Sequence, residues 1–158
     1  MAFDSEKLLD RTGLELLRLL QEDARMSFAE LGRRVGLTPP AVAERVRRME
    51  EAGIITGYHA RLNADKLGLP IRAFIRVGDC EPCERLIRLV KTQPEVIECH
   101  MLTGSDSYLL QVVVASVAQL EALISRLRPF ARSLTTSIVL ESPVDKRGPD
   151  VRLCPPKA

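Results

Sequence analysis

Residues 36–49 read GLTPPAVAERVRRM, spaced like an arginine-rich amphipathic helix yet carrying two adjacent prolines. A proline is tolerated in the first turn of a helix, where the N–H it lacks has no intrahelical partner, and it pushes the residue before it away from the α region. The pair therefore marks a helix start. Pro40 sits best at the first helical position with Pro39 as the turn residue before it, and a start at Pro39 with Thr38 as N-cap is nearly as good. Upstream, Gly32 stands four residues before Gly36, and Val42 stands six after it. This is the spacing by which two helices cross through a tight turn. Gly32 lets the second helix approach, Gly36 takes the positive φ that ends the first, and Val42 fills the space between them.

Outward from this turn, apolar residues recur at intervals of three and four: Leu9, Leu16, Leu17 and Leu20, then Phe28, Leu31 and Val35, then Val42, Val46 and Met49. That pattern predicts three short helices. Gly13 costs the first of them about 1 kcal/mol of helix propensity relative to alanine, so fraying is expected at its start. After the third helix, EEAGIITGYHARLN supplies a stop at Gly53 and a two-strand ribbon signal around Gly57. A helix-turn-helix followed by a ribbon is a winged helix. Arg33, Arg34, Arg45, Arg47 and Arg48 lie within sixteen residues and are opposed there only by Glu44. Such a cluster is the phosphate-binding footprint of a DNA reader. The whole-chain net charge, +2, is too small to imply a polyanionic partner by itself.

With 158 residues, 46% hydrophobic and 28% charged, the chain can bury one good core or two small ones. No apolar run approaches the roughly 20 residues of a membrane span, and MAFDSEKLLD is acidic where a signal peptide would be basic. No membrane association is expected, and the cytoplasm is the expected location. Four cysteines do not make a disulfide scaffold in a chain of this length. The texture changes near Pro70. Strand-like runs IRAFIRV, VIECHML, YLLQVVVAS and LTTSIVLES then alternate with helical stretches at Cys83–Thr92 and Val117–Leu127. The order β, α, β, β, α, β is that of a ferredoxin-like sheet with both helices on one face. The expected class is α+β, with a winged helix-turn-helix over 1–62, a linker over 63–69, a ferredoxin-like domain over 70–142 and a loose tail over 143–158. Strands such as LLQVVVA are apolar on both sides, so the sheet face away from the helices calls for a cover, most simply a second subunit.

These residues resemble the Lrp/AsnC (feast/famine) transcriptional regulators. The resemblance rests on LDRTGLELLRLLQEDAR, LGRRVGLTPPAVAERVRRMEEAGIITGYHARLNADKLGL, LTGSDSYLLQVVV and TTSIVL, and runs from about Leu9 to Leu140. It implies sequence-specific binding to double-stranded DNA, a small-molecule effector, usually an amino acid, and dimers that assemble further to octamers. By the same resemblance the helix up to Glu51 would lie in the major groove with Pro39, Pro40, Ala43, Glu44 and Arg47 exposed. Arg47 would contact guanine or phosphate, Glu44 would accept from cytosine, and Thr38 would donate to a phosphate. Arg33, Arg34, Arg45 and Arg48 complete the expected DNA-binding set.

For the effector, the family's Gly-Asp-aromatic-Asp-Tyr turn corresponds to Gly104, Ser105, Asp106, Ser107 and Tyr108. Serines stand at both usual aspartate positions, and Asp106 is left to meet a ligand ammonium unless the site takes another ligand or none. His100, Met101, Thr103, Val117, Ser137 and Ile138 match positions that line or flank the family pocket. No cofactor is expected. Two other readings compete: a thiol- or metal-responsive regulator using the C-E-P-C pair Cys80 and Cys83, and a haem-biosynthesis decarboxylase-like enzyme on the same fold. The second finds only His59 and His100 and no phosphate loop to support catalysis.

Overall fold

The computed structural model describes residues 8–145 and 148–153. They fall into two compact units, one holding the described residues up to Ala60 together with those from Val144, the other running Arg61–Pro143.

The first unit is built on helices α1 (Arg11–Glu22), α2 (Phe28–Val35) and α3 (Pro39–Glu51). Leu16, Leu19, Leu20, Leu31, Val42 and Val46 form its core, with Val35, Leu37 and Ile55 packed against it. The predicted fraying at Gly13 is replaced by a tight fit. Gly13 is buried, its N–H donates to Asp10 Oδ1 at 2.7 Å, and a Cβ there would lie 1.8 Å from the Leu8 carbonyl oxygen. Glycine is present because backbone passes where a side chain would sit.

The ribbon of the wing does not form among the described residues: 56–63 contain no strand. The N–H groups of Ile54 and Ile55 both donate to the Met49 carbonyl, and the Tyr58 hydroxyl donates to Glu50 at 2.9 Å. The segment is thus spent on the C-terminal end of α3, and Ile55 packs half-buried against the core, which accounts for the apolar pattern that suggested a strand. The tail also departs from the expected loose extension. Gln21 Nε2 donates to the Pro149 carbonyl at 2.9 Å, and a 3-10 turn follows at Val151–Leu153. A proline has no N–H to offer, but its carbonyl remains an acceptor. Pro155, Pro156 and Cys154 lie outside the described residues.

The second unit opens with a 3-10 turn at Asp65–Leu67, closed by Gly68 at φ 78°. Then come β1 (Ile71–Cys80), α4 (Cys83–Val90), β2 (Val96–Met101), β3 (Asp106–Val114), α5 (Val117–Leu127) and β4 (Ala131–Ile138). The sheet order is β2-β3-β1-β4 with every neighbouring pair antiparallel, which is the ferredoxin-like arrangement. Ala73, Ile75 and Val77 of β1 and Leu110, Val112 and Val114 of β3 bury one sheet face together with Leu86 and Val90 of α4 and Leu120, Leu123 and Leu127 of α5. β4 begins three residues before the apolar run that announced it, because pairing with β1 extends to Cys80 opposite Ala131. The other sheet face follows from alternation. It carries Arg72, Phe74 and Arg76 in register with Val113, Gln111 and Leu109. No helix among the described residues is long and apolar enough to cross a membrane.

Candidate nucleic-acid interface and effector turn

The turn between α2 and α3 has the geometry its glycines require. Ser27 caps α2 by accepting from the Glu30 N–H at 3.2 Å, and Gly36 ends it at φ 73°, ψ 31°. The Leu37 N–H returns to the Gly32 carbonyl at 2.9 Å, and a Cβ on Gly32 would stand 2.4 Å from the Leu37 carbonyl oxygen. Val42 is fully buried in the angle between the helices. Of the two possible starts, α3 takes the earlier: Thr38 is the N-cap at ψ 151°, and Pro39 and Pro40 fill the first two helical positions. The Val42 N–H closes the first turn onto the Thr38 carbonyl at 3.0 Å. Thr38 makes no side-chain cap bond. The residue two positions on, a usual capping donor, is Pro40, which has no N–H.

α3 buries Val42, Val46 and Met49 and presents Pro40, Glu44, Arg47 and Glu51 on the opposite side, at the three- and four-residue spacing of one helix face. Thr38 and Pro39 are exposed and Ala43 is half-buried. The arginines are less bare than their clustering implied. Arg33 and Arg34 both pair with Glu30, the latter at 2.8 Å, and Arg47 pairs with Glu44 at 2.6 Å and with Glu51. From Ser27 to Glu51 the sequence holds five arginines against four glutamates. The i,i+3 and i,i+4 spacings predict these pairs, and a count of charges from Arg33 to Arg48 takes in Glu44 but leaves out Glu30 and Glu51. The hydrogen bond from Arg47 holds the Glu44 carboxyl below its ordinary range, and the carboxylates in turn push the Arg47 guanidinium up. A phosphate must therefore displace a partner to reach Arg47. That exchange is feasible because exposed pairs of this kind are each worth only about 0–1 kcal/mol.

Arg45 belongs to a different group. Its side chain is 23% exposed and pairs with Asp10, the N-cap of α1, tying α3 to α1. Burial alone would raise the Asp10 carboxyl, but the Gly13 N–H and the Arg45 guanidinium hold it below its ordinary value. This contact spans 35 residues and leaves no local trace in the sequence. Arg48 is half-buried. The hydroxyl of Tyr58 is pushed up to about 12 by burial and by Glu50.

In the second unit, Leu102–Ser105 join β2 to β3, with Gly104 at φ 110° and the Leu102 N–H donating to the Ser107 carbonyl at 3.0 Å. Met101, Thr103, Gly104 and Ser105 are exposed, while Asp106 and Ser107 are half-buried. His100 is exposed and lies 3.2 Å from Glu98. Ser137 and Ile138 do not join this turn within one chain. Gly78 pairs with Asp106 on one side and Ser133 on the other, while Ser137 pairs with Phe74. Four residues along a strand correspond to about 13 Å. Val117 is exposed at the start of α5. Cys80 and Cys83 are joined as a disulfide rather than open as a metal-ligand pair, and among the described residues no group of three His, Cys, Asp or Glu side chains is placed to hold a metal.

Comparison with known proteins agrees with this geometry. The AsnC-type helix-turn-helix domain matches residues 9–50, and the Lrp/AsnC ligand binding domain matches residues 72–149. The uncharacterized HTH-type transcriptional regulator YezC of Bacillus subtilis is 39% identical over 134 residues, 85% of this chain and 95% of its own. The structure of B. subtilis LrpC superposes with a TM-score of 0.81 at 31% identity, covering 87% of this chain and 98% of that one. A feast or famine regulatory protein from M. tuberculosis, complexed with L-methionine, superposes with a TM-score of 0.81 at 34% identity, covering 89% and 97%. These relatives are transcriptional regulators, not enzymes.

Proposed function

The chain belongs to the Lrp/AsnC family of DNA-binding transcriptional regulators, and on that premise we propose that α3 enters the major groove of double-stranded DNA with Pro40, Glu44 and Arg47 facing the bases. The observation that carries this reading is the exposed stripe of α3 opposite Val42, Val46 and Met49, presented by a well-formed helix-turn-helix. Two of the four N–H positions at the start of the helix are prolines, so this end offers few donors to a phosphate. Pro39 and Pro40 give an apolar contact there, suited to a thymine methyl, while Thr38, Arg33, Arg34 and Arg48 hold the backbone. Arg45 anchors α3 to α1 and takes no direct part.

The protein acts as a dimer through the sheet face that carries Phe74, Leu109 and Val113, and dimers assemble to an octamer in the cytoplasm. Two α3 helices then meet successive major grooves about 34 Å apart on an inverted repeat. Assembly also supports a shared effector site: Asp106 of one chain and Ser137 and Ile138 of another would meet where a single chain keeps them apart. The effector is an amino acid whose ammonium is held by Asp106, a reading supported by the L-methionine bound to a relative.

Fluorescence anisotropy with the DNA upstream of the protein's own gene, against a scrambled duplex, tests the first part. Specific sites bind more tightly than non-specific DNA by a factor of about 10³ or more, and equal affinity for both duplexes would remove the reading. A thermal-shift screen of the twenty amino acids tests the second. A ligand at a hundred times its dissociation constant adds about 2.7 kcal/mol, and silence at millimolar concentrations would exclude an amino-acid effector.

A further inference from the structure

Cys80 ends β1 and Cys83 opens α4, and each is positioned without help from the bond between them. Cys80 is held by its ladder position opposite Ala131, and Cys83 by a helix that buries Leu86 and Val90. The sequence separation is only three, so the disulfide closes a very short ring and constrains the unfolded chain little. It can open and close while strand and helix stay in place. Both cysteines are half-buried, and the residues between them, Glu81 and Pro82, are exposed, so the pair lies at the surface.

We propose that Cys80 and Cys83 form a reversible oxidation site, a dithiol that a peroxide converts to the disulfide and a small neutral dithiol restores. Cys83 is the attacking sulfur, since the start of a helix favours a thiolate over a thiol. Its sulfur attacks one peroxide oxygen, the O–O bond breaks, and the released hydroxide takes up the thiol proton as water. The Cys80 thiol then attacks the sulfenic sulfur, forming the S–S bond and expelling the second water. Both sulfurs are oxidised and the peroxide is reduced.

The surroundings select the oxidant. Asp79, Glu81 and Glu84 flank the pair in sequence, and Asp79 and Glu81 line a cleft of about 280 Å³ with Pro129, Phe130, Ala131 and Arg132. In the cleft two carboxylates, Asp79 and Glu81, stand against one guanidinium, Arg132, which disfavours an anionic disulfide such as oxidised glutathione, whereas hydrogen peroxide carries no charge.

The test uses full-length protein carrying Cys154→Ser, with N-ethylmaleimide labelling read by peptide mass and exposed Cys99 as the internal comparison. After dithiothreitol, Cys80 and Cys83 should both label. After stoichiometric hydrogen peroxide both should be protected, at a mass lower by two hydrogens, and dithiothreitol should restore labelling. Cys80→Ser should leave a sulfenic acid at Cys83 that dimedone traps, and Cys83→Ser should leave Cys80 labelled throughout. The proposal is overturned if the pair still labels at peroxide levels that oxidise Cys99. It is also overturned if the pair stays protected after dithiothreitol in the folded protein, or if oxidation runs to sulfinic acid without a disulfide.

Discussion

Replacing Gly13 with alanine sets two effects of known size against each other. Helix propensity alone favours alanine by about 1 kcal/mol. Against this, the new Cβ would stand 1.8 Å from the Leu8 carbonyl oxygen and 2.9 Å from Met49 Cε. The methionine end can swing away, but the carbonyl belongs to the backbone of the turn leading into α1. Relieving that contact means shifting the turn whose Asp10 side chain caps the Gly13 N–H. Overpacking that moves backbone costs about 1–3 kcal/mol, and partial loss of an N-cap adds about 0.5–2 kcal/mol. The net expectation is a loss of about 0.5–4 kcal/mol. For a unit of this size each kcal/mol lowers Tm by about 4–8 °C, so the melting of the first unit should fall by about 2–30 °C. Circular dichroism at 222 nm during heating, with parent and Gly13→Ala side by side, measures it. A rise in Tm would mean that propensity dominates and that the close approach of Leu8 is not a constraint.

Three further substitutions probe the first unit. Asp10→Asn keeps a capping side chain but removes the charge paired with Arg45, and should cost about 0.5–1 kcal/mol near neutral pH. The Asp10 carboxyl is held below 3.8 in the folded state, so this stabilisation is complete above that value and lost as pH falls through the depressed one. Denaturant melts should therefore show a constant gap between parent and variant at pH 5–7 that closes in stronger acid. Gly36→Ala places a side chain at φ 73° where no neighbouring atom interferes, so the same melts should register only the left-handed backbone cost of about 1–2 kcal/mol. Glu30→Gln releases Arg33 and Arg34, and should tighten binding to non-specific DNA in low-salt anisotropy titrations. Unchanged binding would show that those arginines do not reach phosphate.

What the sequence revealed and what it hid divide along physical lines. Gly32, Gly36 and Val42 each answer a local backbone or packing demand, and the helix-turn-helix was readable from them. The strand alternation after Pro70 likewise set the ferredoxin-like order, because the period of two reports directly on which side is buried. The pairing of Arg47 with Glu44 and Glu51 was available in the helical spacing. The contact of Arg45 with Asp10 was not, since it depends on how α3 packs on α1. Gly13 misled because propensity scales see a missing side chain and not the carbonyl that occupies its place. The apolar pattern around Gly57 misled for a related reason: Ile55 packs half-buried against the helical core and not against a strand. Ser137 and Ile138 lie four and five residues along β4 from Ser133, the residue level with Asp106, so neither local pattern nor single-chain geometry brings them to the turn.

The central claim is that the exposed face of α3 reads DNA through Arg47. The most direct measurement is the affinity of Arg47→Ala for the protein's upstream DNA, titrated across a series of salt concentrations beside the parent. A base contact predicts a loss of about 1–3 kcal/mol confined to one position of the site, while a phosphate contact predicts a smaller, uniform loss with a salt slope shallower by about 1. A variant that matches the parent in affinity, sequence preference and salt slope would contradict the account.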